Sequence, residues 1–483
     1  MTSEASLYES IQEHSEQFCF LLATALKDGL IKIKEHVTAK KFIGTHYDWP
    51  MLSFADNGLP RLSSSLFNGE KDYRSLFGSG SDKINDSDLQ SFCNFSNFIK
   101  STPTLLDRFL LENWKNEHDE NVRGFIDTIV SAPIKDAIER YIHINNTFDY
   151  YEEKASIVIE EIKNFIFLET LPIDIIVPIL FVNFKFESLT LADGIEIRRL
   201  TEKEHLARFN SKAYNVSVHE IVFSSATHAL VLTNWEVKNS KCVIDFNTLY
   251  DIRAYPLELI NKFFASIRLV TNINTGYAQI FSLSSSWIRH CRADLPNIIG
   301  TTTRAYPTIF EDYYWNISAI PEISITEITT INSLFKLLRN STEKSLDIAI
   351  RRLNQCLIRD TEEDSVLDAT IALEALLSDD SKQEMTHKLA MRVGALVRLD
   401  HKFGKTSVQA FRDIKSIYDY RSAIVHGSKV PDKKRVVRFE NNTESSVHAL
   451  AIEYLRFIIK TLLENPKYKN PKFIDTELLL GGN

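Results

Sequence analysis

The last third of the chain carries apolar residues at helical spacing through six successive segments, and this pattern constrains the fold most strongly. Apolar residues that recur roughly every three or four positions form one face of a helix, which must then pack against other elements. Because the links between the segments are short, we expect a compact helical bundle. The predicted helices are 328–339, 343–358, 365–377, 384–399, 407–426 and 443–464.

The chain ahead of this bundle has two different characters. Up to residue 170 it is mainly helical, with a loop region rich in Ser, Gly and Asn at 53–82 and predicted helices at 6–40, 105–116, 121–145 and 150–168. From residue 171 it is mixed: a capping-box pattern of Thr201 and Glu204 opens a short helix, 256–270 is a further helix, and the predicted strands are 173–187, 195–200, 216–232 and 277–283. We therefore predict a predominantly helical α+β protein with regions 1–170, 171–325 and 326–483.

Composition bounds the function classes. The 483 residues carry a net charge of -8, so any surface that binds nucleic acid must be a local basic patch. The apolar stretch 173–184 is too short to span a bilayer, which needs about 20 residues, and no basic N-terminal signal region is visible. We therefore expect no membrane segment. The cysteines are odd in number and form no CxxC pair, which argues against a zinc site and a disulfide framework and favours the cytoplasm: Cys19, Cys93, Cys242, Cys291 and Cys356. We expect no cofactor.

The helix predicted at 407–426 carries the residues most suited to chemistry. Arg421 falls on its apolar stripe, and His426 is its last residue before Gly427, a favourable residue for a helix end. A guanidinium binds phosphate, and an imidazole transfers protons near neutral pH. These two groups together suffice for metal-free RNA cleavage. A step of five residues rotates the side chains by about 140° around one helix. Two copies of the chain would therefore bring these groups together better than one chain does.

The same residues have a structural interpretation, which stays open. An Arg paired with a buried carboxylate and a His at a helix end are common in folded proteins. Arg199 and His205 satisfy a similar spacing, and we interpret that pair as chance. Glu374 lies among apolar residues and is either a partner that orients Arg421 or Arg392, or an exposed residue at the edge of the stripe.

The C-terminal region resembles the Apea-like branch of the HEPN superfamily over roughly residues 325–465. The resemblance is carried by the runs AIRRL at 349–353, ATIALEALL at 369–377, KLAMR at 388–392 and YDYRSAIVHG at 418–427, and LADGIEIRRLTEKEHLAR at 191–208 is similar to the domain that precedes HEPN in such proteins. It implies an all-helical, dimerising domain and, in many members, a metal-independent ribonuclease.

The resemblance also implies roles for single residues. Arg421 would hold the scissile phosphate, and His426 would act as general acid or base. Ser422 stands where many active members have Asn, Asp or His, and it can donate a hydrogen bond to a phosphate oxygen. The residues themselves suggest two further contacts. Lys429 begins a basic stretch that either collects RNA phosphates or is a solvated loop, and Tyr420 either stacks on a base or has no role in binding.

Two hypotheses follow. In the first, the chain is an antiviral, abortive-infection ribonuclease that acts as a homodimer or higher homo-oligomer. It cleaves RNA, with tRNA as one candidate, to a 2′,3′-cyclic phosphate, and a phage-derived activator is one candidate trigger. In the second, the HEPN region is a non-catalytic module for dimerisation or RNA binding, and the Arg–His pair is structural.

Overall fold

The computed structural model describes most of the chain at side-chain level. The described residues are 10–78, 80, 82–110, 120–211, 218–239, 249–316, 318–379, 384–427, 435–438 and 444–481. Its make-up is 57% helix and 17% strand, with a mixed N-terminal part and a helical C-terminal part, so the predicted fold class is confirmed.

The N-terminal elements are mainly helices, with one β-hairpin. They are α1 (Ser15–Thr38), β1 (Trp49–Phe54), β2 (Pro60–Ser65), α2 (Gln90–Ser101), α3 (Pro103–Phe109), α4 (Glu120–Asn145) and α5 (Glu152–Phe167). The loop predicted at 53–82 is wrong for its first part, because β1 and β2 pair antiparallel from Trp49↔Ser65 to Phe54↔Pro60. Asn57-Gly58 makes the turn, with Gly58 at φ 83°, a conformation that glycine adopts freely. Helix α2 lies outside every predicted helix.

A six-stranded sheet follows. The elements in this part are β3 (Thr170–Leu180), β4 (Asn183–Phe184), β5 (Ser188–Ala192), β6 (Ile195–Arg199), α6 (Glu202–Asn210), α7 (Glu220–Ser224), β7 (Ala226–Lys238), α8 (Leu257–Val270), β8 (Gln279–Ser284) and β9 (Ile298–Thr303). The strand order is β5-β6-β7-β3-β8-β9. Strand β3 occupies most of the apolar stretch predicted as buried strand and is buried along nearly all of its length.

Two local predictions in this part have different outcomes. The capping box is confirmed: Thr201 Oγ1 accepts a hydrogen bond from the Glu204 backbone N–H at 3.2 Å, and Glu204 Oε2 accepts one from the Thr201 N–H at 2.8 Å. The strand predicted over 216–232 is wrong in its first half, where helix α7 forms. The His219 side chain accepts a hydrogen bond from the Ile221 N–H and caps that helix.

The remaining elements are the six predicted helices, a second hairpin and three short elements that were not predicted. They are α9 (Ile309–Asn316), β10 (Glu322–Ile323), α10 (Ile325–Asn340), α11 (Lys344–Cys356), α12 (Glu362–Leu377), α13 (Met385–Leu396), α14 (Ser407–Val425), β11 (Val436–Arg438), β12 (Glu444–Ser446), α15 (Val447–Glu464) and α16 (Pro471–Phe473). The three short elements are α9, β10 and α16. The expectation of a wholly helical C-terminal part is wrong, since β11 and β12 pair antiparallel. Ser446 ends β12 and caps α15, so that helix begins four residues later than predicted.

The chain forms two compact units, each made of discontinuous segments. The first contains Met1–Pro178, Phe186–Tyr255 and Tyr277–Arg304, and the second contains Ile179–Lys185, Pro256–Gly276 and Ala305–Asn483. The core of the second unit joins apolar residues of α8 with those of α10 to α15. Helix α8, which the sequence-based division places in the middle region, therefore packs within the second unit. Among the described residues, no helix has the length and apolar character that crossing a membrane requires.

The first unit buries an imidazole beside a guanidinium. His205 is 4% exposed, and its Nδ1 accepts hydrogen bonds from Nε and Nη2 of the fully buried Arg208 at 3.3 and 3.2 Å. Arg208 also donates to the backbone oxygens of Phe223 and Ser224. Burial, together with the positive charge of Arg208, lowers the pKa of His205 to about 2. His205 is thus held neutral, and its role is structural.

We predict that His205 makes the first unit sensitive to acid. Its folded-state pKa lies below the ordinary value of about 6.5, so below that pH the unfolded chain takes up a proton that the folded chain does not. The stabilisation is complete above pH ~7 and falls by about 1.4 kcal/mol per further pH unit below pH ~6.5. In urea unfolding at pH 7.5 and about pH 5.5, His205→Gln should lose roughly 1 kcal/mol less stability than the parent chain. Equal losses in both proteins would contradict the prediction.

Candidate functional site

Helix α14 begins and ends at residues suited to those positions. Thr406 Oγ1 accepts a hydrogen bond from the Gln409 N–H at 3.2 Å, and the Gln409 side chain accepts one from the Thr406 N–H at 2.9 Å. At the other end, Gly427 adopts φ 64° and donates its N–H to the Ile424 oxygen at 2.9 Å. His426 is the C-terminal cap residue. The local sequence therefore determines that Arg421 lies in the last turns and His426 at the end of the helix.

Arg421 is held by a carboxylate from a neighbouring helix. Its Nη2 lies 3.3 Å from Oε1 of Glu374 on α12, and the two side chains are 33% and 26% exposed. The guanidinium carbon lies 5.9 Å from the centre of the Tyr418 ring. The Arg421 Nε is shielded from solvent and has no hydrogen-bond partner among the residues that the structure describes. One guanidinium nitrogen thus lies at Glu374, and the side chain as a whole is one-third exposed.

Of the two arginines considered as partners of Glu374, Arg421 is the one that contacts it. Arg392 does not share this carboxylate: its Nη2 donates to Asp379 at 2.7 Å and to Asp475 at 2.6 Å. Burial raises the pKa of Tyr418, and the negative charge of Glu374 raises it further. Tyr418 therefore stays a neutral phenol beside the ion pair.

His426 and Ser422 lie at the surface. Both residues are exposed, and the backbone N–H of His426 donates to the Ser422 oxygen at 3.1 Å. An exposed imidazole can exchange protons with solvent or with a bound molecule. The structure thus gives Arg421 a partner inside the bundle and leaves His426 accessible.

The interpretation of Tyr420 as a stacking platform needs correction. Its side chain is 1% exposed, so the ring is not available to a base. Burial raises the pKa of its hydroxyl, and the carboxylate of Glu363 raises it further. The reason is that Tyr420 belongs to the apolar core of the second unit. Glu363 of α12 and Arg435, the residue before β11, form an ion pair of 2.8 Å, and both charges act on the Tyr420 hydroxyl.

The predicted basic stretch is described only at its end. Lys429 lies outside the described residues, as do Lys433 and Lys434. The two described arginines of the stretch have acidic partners: Arg435 pairs with Glu363, and Arg438 pairs with Glu444 at 2.6 Å. A fold that pairs these cations leaves less free positive charge than the sequence suggests.

A second group of ionisable residues, which sequence reasoning missed, lies in the first unit. His46, Glu139 and His143 place one possible ligand atom each within 4.8 Å of the others. Burial raises the pKa of Glu139, but hydrogen bonds from His143 and His46 outweigh burial and lower it to about 2. Glu139 and His143 stand four residues apart on α4, and this spacing was a usable signal. His46 is distant in sequence and gave none.

Comparison of the chain with protein-family models, with curated proteins and with solved structures gives no match in any of the three. The resemblance to the HEPN superfamily therefore stays a prediction carried by the motif residues themselves.

We predict that Arg421 and Glu374 are energetically coupled. A double-mutant cycle with Arg421→Ala and Glu374→Ala, read by denaturant unfolding, should give a coupling of about 0.5–1 kcal/mol, because the pair is only partly exposed. The exposed pair Arg438–Glu444 is the control and should couple by less than about 0.3 kcal/mol. Equal coupling in the two pairs would mean that Glu374 does not hold Arg421 in place.

Proposed function

We propose that this protein is a metal-independent endoribonuclease of the HEPN type, acting in the cytoplasm as a homodimer or higher homo-oligomer in antiviral defence. The observation that carries the proposal is that one helix holds both a partly exposed Arg421, contacted by Glu374, and an accessible His426 at its end. Together the two residues supply a fixed positive charge and an accessible imidazole, the kinds of group that can assist RNA cleavage by the ribose 2′-hydroxyl.

In the proposed reaction, the ribose 2′-oxygen attacks the adjacent phosphorus while the bond to the 5′-oxygen breaks. One imidazole removes the 2′-hydroxyl proton, and a protonated imidazole or water delivers a proton to the leaving 5′-oxygen. The guanidinium of Arg421 stabilises the negative charge that develops on the phosphoryl oxygens. The products are a 2′,3′-cyclic phosphate and a free 5′-hydroxyl, and no redox partner, metal or cofactor is needed.

Glu374 supports this role for Arg421 as a positioning residue. A guanidinium has five N–H donors in a rigid plane, and the observed ion pair engages Nη2. Because the side chain is 33% exposed, we propose that the Nη donors not used by Glu374 are open to an approaching phosphate. Ser422, exposed one residue later, adds a hydroxyl on the accessible side.

A second copy of the chain would improve the geometry. Side chains five residues apart on one helix diverge by about 140°. Arg421 leans toward α12, whereas His426 caps the helix end, so two helices meeting around a twofold axis would bring the Arg of one subunit toward the His of its partner. We propose that the RNA lies in such a shared groove, with tRNA as one candidate and a phage-derived activator as one candidate trigger.

A non-catalytic module for dimerisation or RNA binding is the second candidate. The observation that favours it is the same Arg421–Glu374 ion pair, since a structural arginine on an apolar stripe also needs a carboxylate partner. The two candidates differ in what they require of His426, which contributes to catalysis in the first and at most to helix capping in the second.

We predict that the protein, assayed alone and with phage lysate as a source of activator, cleaves RNA with EDTA present. His426→Ala should lower the rate by about 10²–10⁴, the range for loss of an acid–base group, and Arg421→Ala by about 10²–10³. Product ends should carry 2′,3′-cyclic phosphate, detected by resistance to phosphatase until the ring is opened by acid.

The control variants remove an arginine and a histidine that lie outside the proposed site. Arg199→Ala and His401→Ala remove a partly exposed, carboxylate-paired arginine and an exposed histidine outside the site, and should leave cleavage unchanged. Because His426 is exposed, His426→Ala should shift the melting temperature little. Cleavage that survives in both site variants would refute the ribonuclease, and a large loss of melting temperature with intact cellular phenotype would favour the second candidate.

We predict that two inactive variants restore each other. Subunits of Arg421→Ala and His426→Ala, mixed and allowed to exchange, form mixed dimers that retain one Arg421 and one His426. Cleavage should reappear in the mixture, while each variant alone stays inactive. Fluorescence transfer between labelled subunits verifies exchange. Mixed dimers that form but do not cleave would show that the two groups act within one chain.

A further inference from the structure

The cluster of His46, Glu139 and His143 in the first unit has the composition of a metal site. His46 Nε2 lies 2.7 Å from Glu139 Oε1, and His143 Nε2 lies 3.3 Å from the same oxygen. Neighbouring ligand atoms in a tetrahedral zinc site are about 3.4 Å apart, given metal–ligand bonds of about 2.1 Å. The two distances to Glu139 Oε1 are within about 0.7 Å of that value, and all three ligand atoms lie within 4.8 Å of one another.

Two imidazoles and one carboxylate are a recognised ligand set for zinc. Sites with three protein ligands leave a fourth position for water or another donor. The side chains of His46 and His143 are 12% and 10% exposed, and that of Glu139 is 0% exposed. The cluster is thus nearly enclosed, while the imidazoles still reach solvent and provide an entry path.

The carboxylate is oriented independently of the imidazoles. Glu139 Oε2 accepts hydrogen bonds from the backbone N–H groups of Tyr73 at 2.8 Å and Arg74 at 3.2 Å. Its Oε1 accepts one from the Ala293 N–H at 3.1 Å. Hydrogen bonds of this kind to a ligating group fix its orientation and raise metal affinity.

Aromatic rings support the two imidazoles. The His46 ring stacks on Trp49, with centroids 5.7 Å apart and an angle of 26° between the rings. The His143 ring packs against Tyr73 at a centroid distance of 5.3 Å. Packing against these rings therefore restrains the orientation of both imidazoles.

We propose that His46, Glu139 and His143 bind one divalent transition-metal ion of the zinc class, which fastens the segment before β1 to helix α4. In the structure described here His143 Nε2 hydrogen-bonds the Lys71 oxygen at 2.8 Å. Metal binding would replace that hydrogen bond, with Nε2 bound to the ion and the ring proton on Nδ1. The ion adds charge compensation for a carboxylate that is wholly out of water. The inference is independent of the proposed ribonuclease activity.

We predict that the full-length protein, stripped with chelator and dialysed, binds one Co²⁺ per chain. Binding should produce the visible absorption of tetrahedral Co²⁺, and one equivalent of Zn²⁺ should abolish it. His46→Gln and His143→Gln should weaken Co²⁺ binding at least about tenfold, because each removes one of three ligands. His290→Ala, a neighbouring imidazole outside the ligand set, is the matched control and should bind as the parent does.

A second measurement covers variants that fold poorly. Zn²⁺ should raise the melting temperature of the parent chain, since an ion that binds the folded state stabilises it by mass action. The circular dichroism spectrum verifies that the stripped protein is folded. A folded parent chain with neither Co²⁺ absorption nor a Zn²⁺-dependent shift in melting would overturn the proposal, as would full absorption in both histidine variants.

Discussion

A charged side chain that leaves water needs an opposite charge or a full set of hydrogen bonds, and both units of this protein are built around that requirement. In the second unit Arg392 is 3% exposed and bridges Asp379 and Asp475, which ties α13 to the C-terminal segment. In the first unit Glu139 is fully buried, and its oxygens collect backbone N–H groups from two separate loops. The same requirement acts on Arg421: because it lies on the packed side of α14, its orientation is set by a carboxylate of α12. The proposed site is therefore a consequence of how the bundle accommodates a cation.

Much of the second unit could be predicted because helical periodicity is a property of local sequence. All six predicted C-terminal helices are present, with ends within four residues of the observed ones. The capping box at Thr201 was predictable for the same reason, since both partners lie within one helical turn. The first hairpin was missed because its Ser-rich strands have the composition of a loop, although Asn57-Gly58 marked the turn. What failed elsewhere was long-range: Tyr420 belongs to the apolar core of the second unit, and no spacing within α14 reveals which other helices cover it.

In the candidate site too, local features could be predicted from the sequence and long-range contacts could not. Spacing along one helix identified Arg421 and His426 and predicted the helix end between Val425 and Gly427. The identity of the partner of Glu374 could not be predicted, because both candidate arginines lie on helices that can pack against α12, and only the packing decides between them. The cluster of His46, Glu139 and His143 could not be predicted from local spacing, because His46 and Glu139 are 93 positions apart in the sequence.

The two proposals place different chemistry in the two units, and the residues explain why. The guanidinium of Arg421 carries a permanent positive charge, so it can bind a phosphate without the help of a metal ion. At Glu139 the carboxylate is enclosed and already accepts three backbone N–H groups, so it is not free to take a proton from an RNA hydroxyl. An ion held there would act on the stability of the first unit, where it would join α4 to the segment that precedes β1. Chelation should therefore change how well the first unit resists unfolding, whereas removal of the exposed His426 should change the chemistry at nearly constant stability. This separation lets a loss of activity be attributed to one unit or the other.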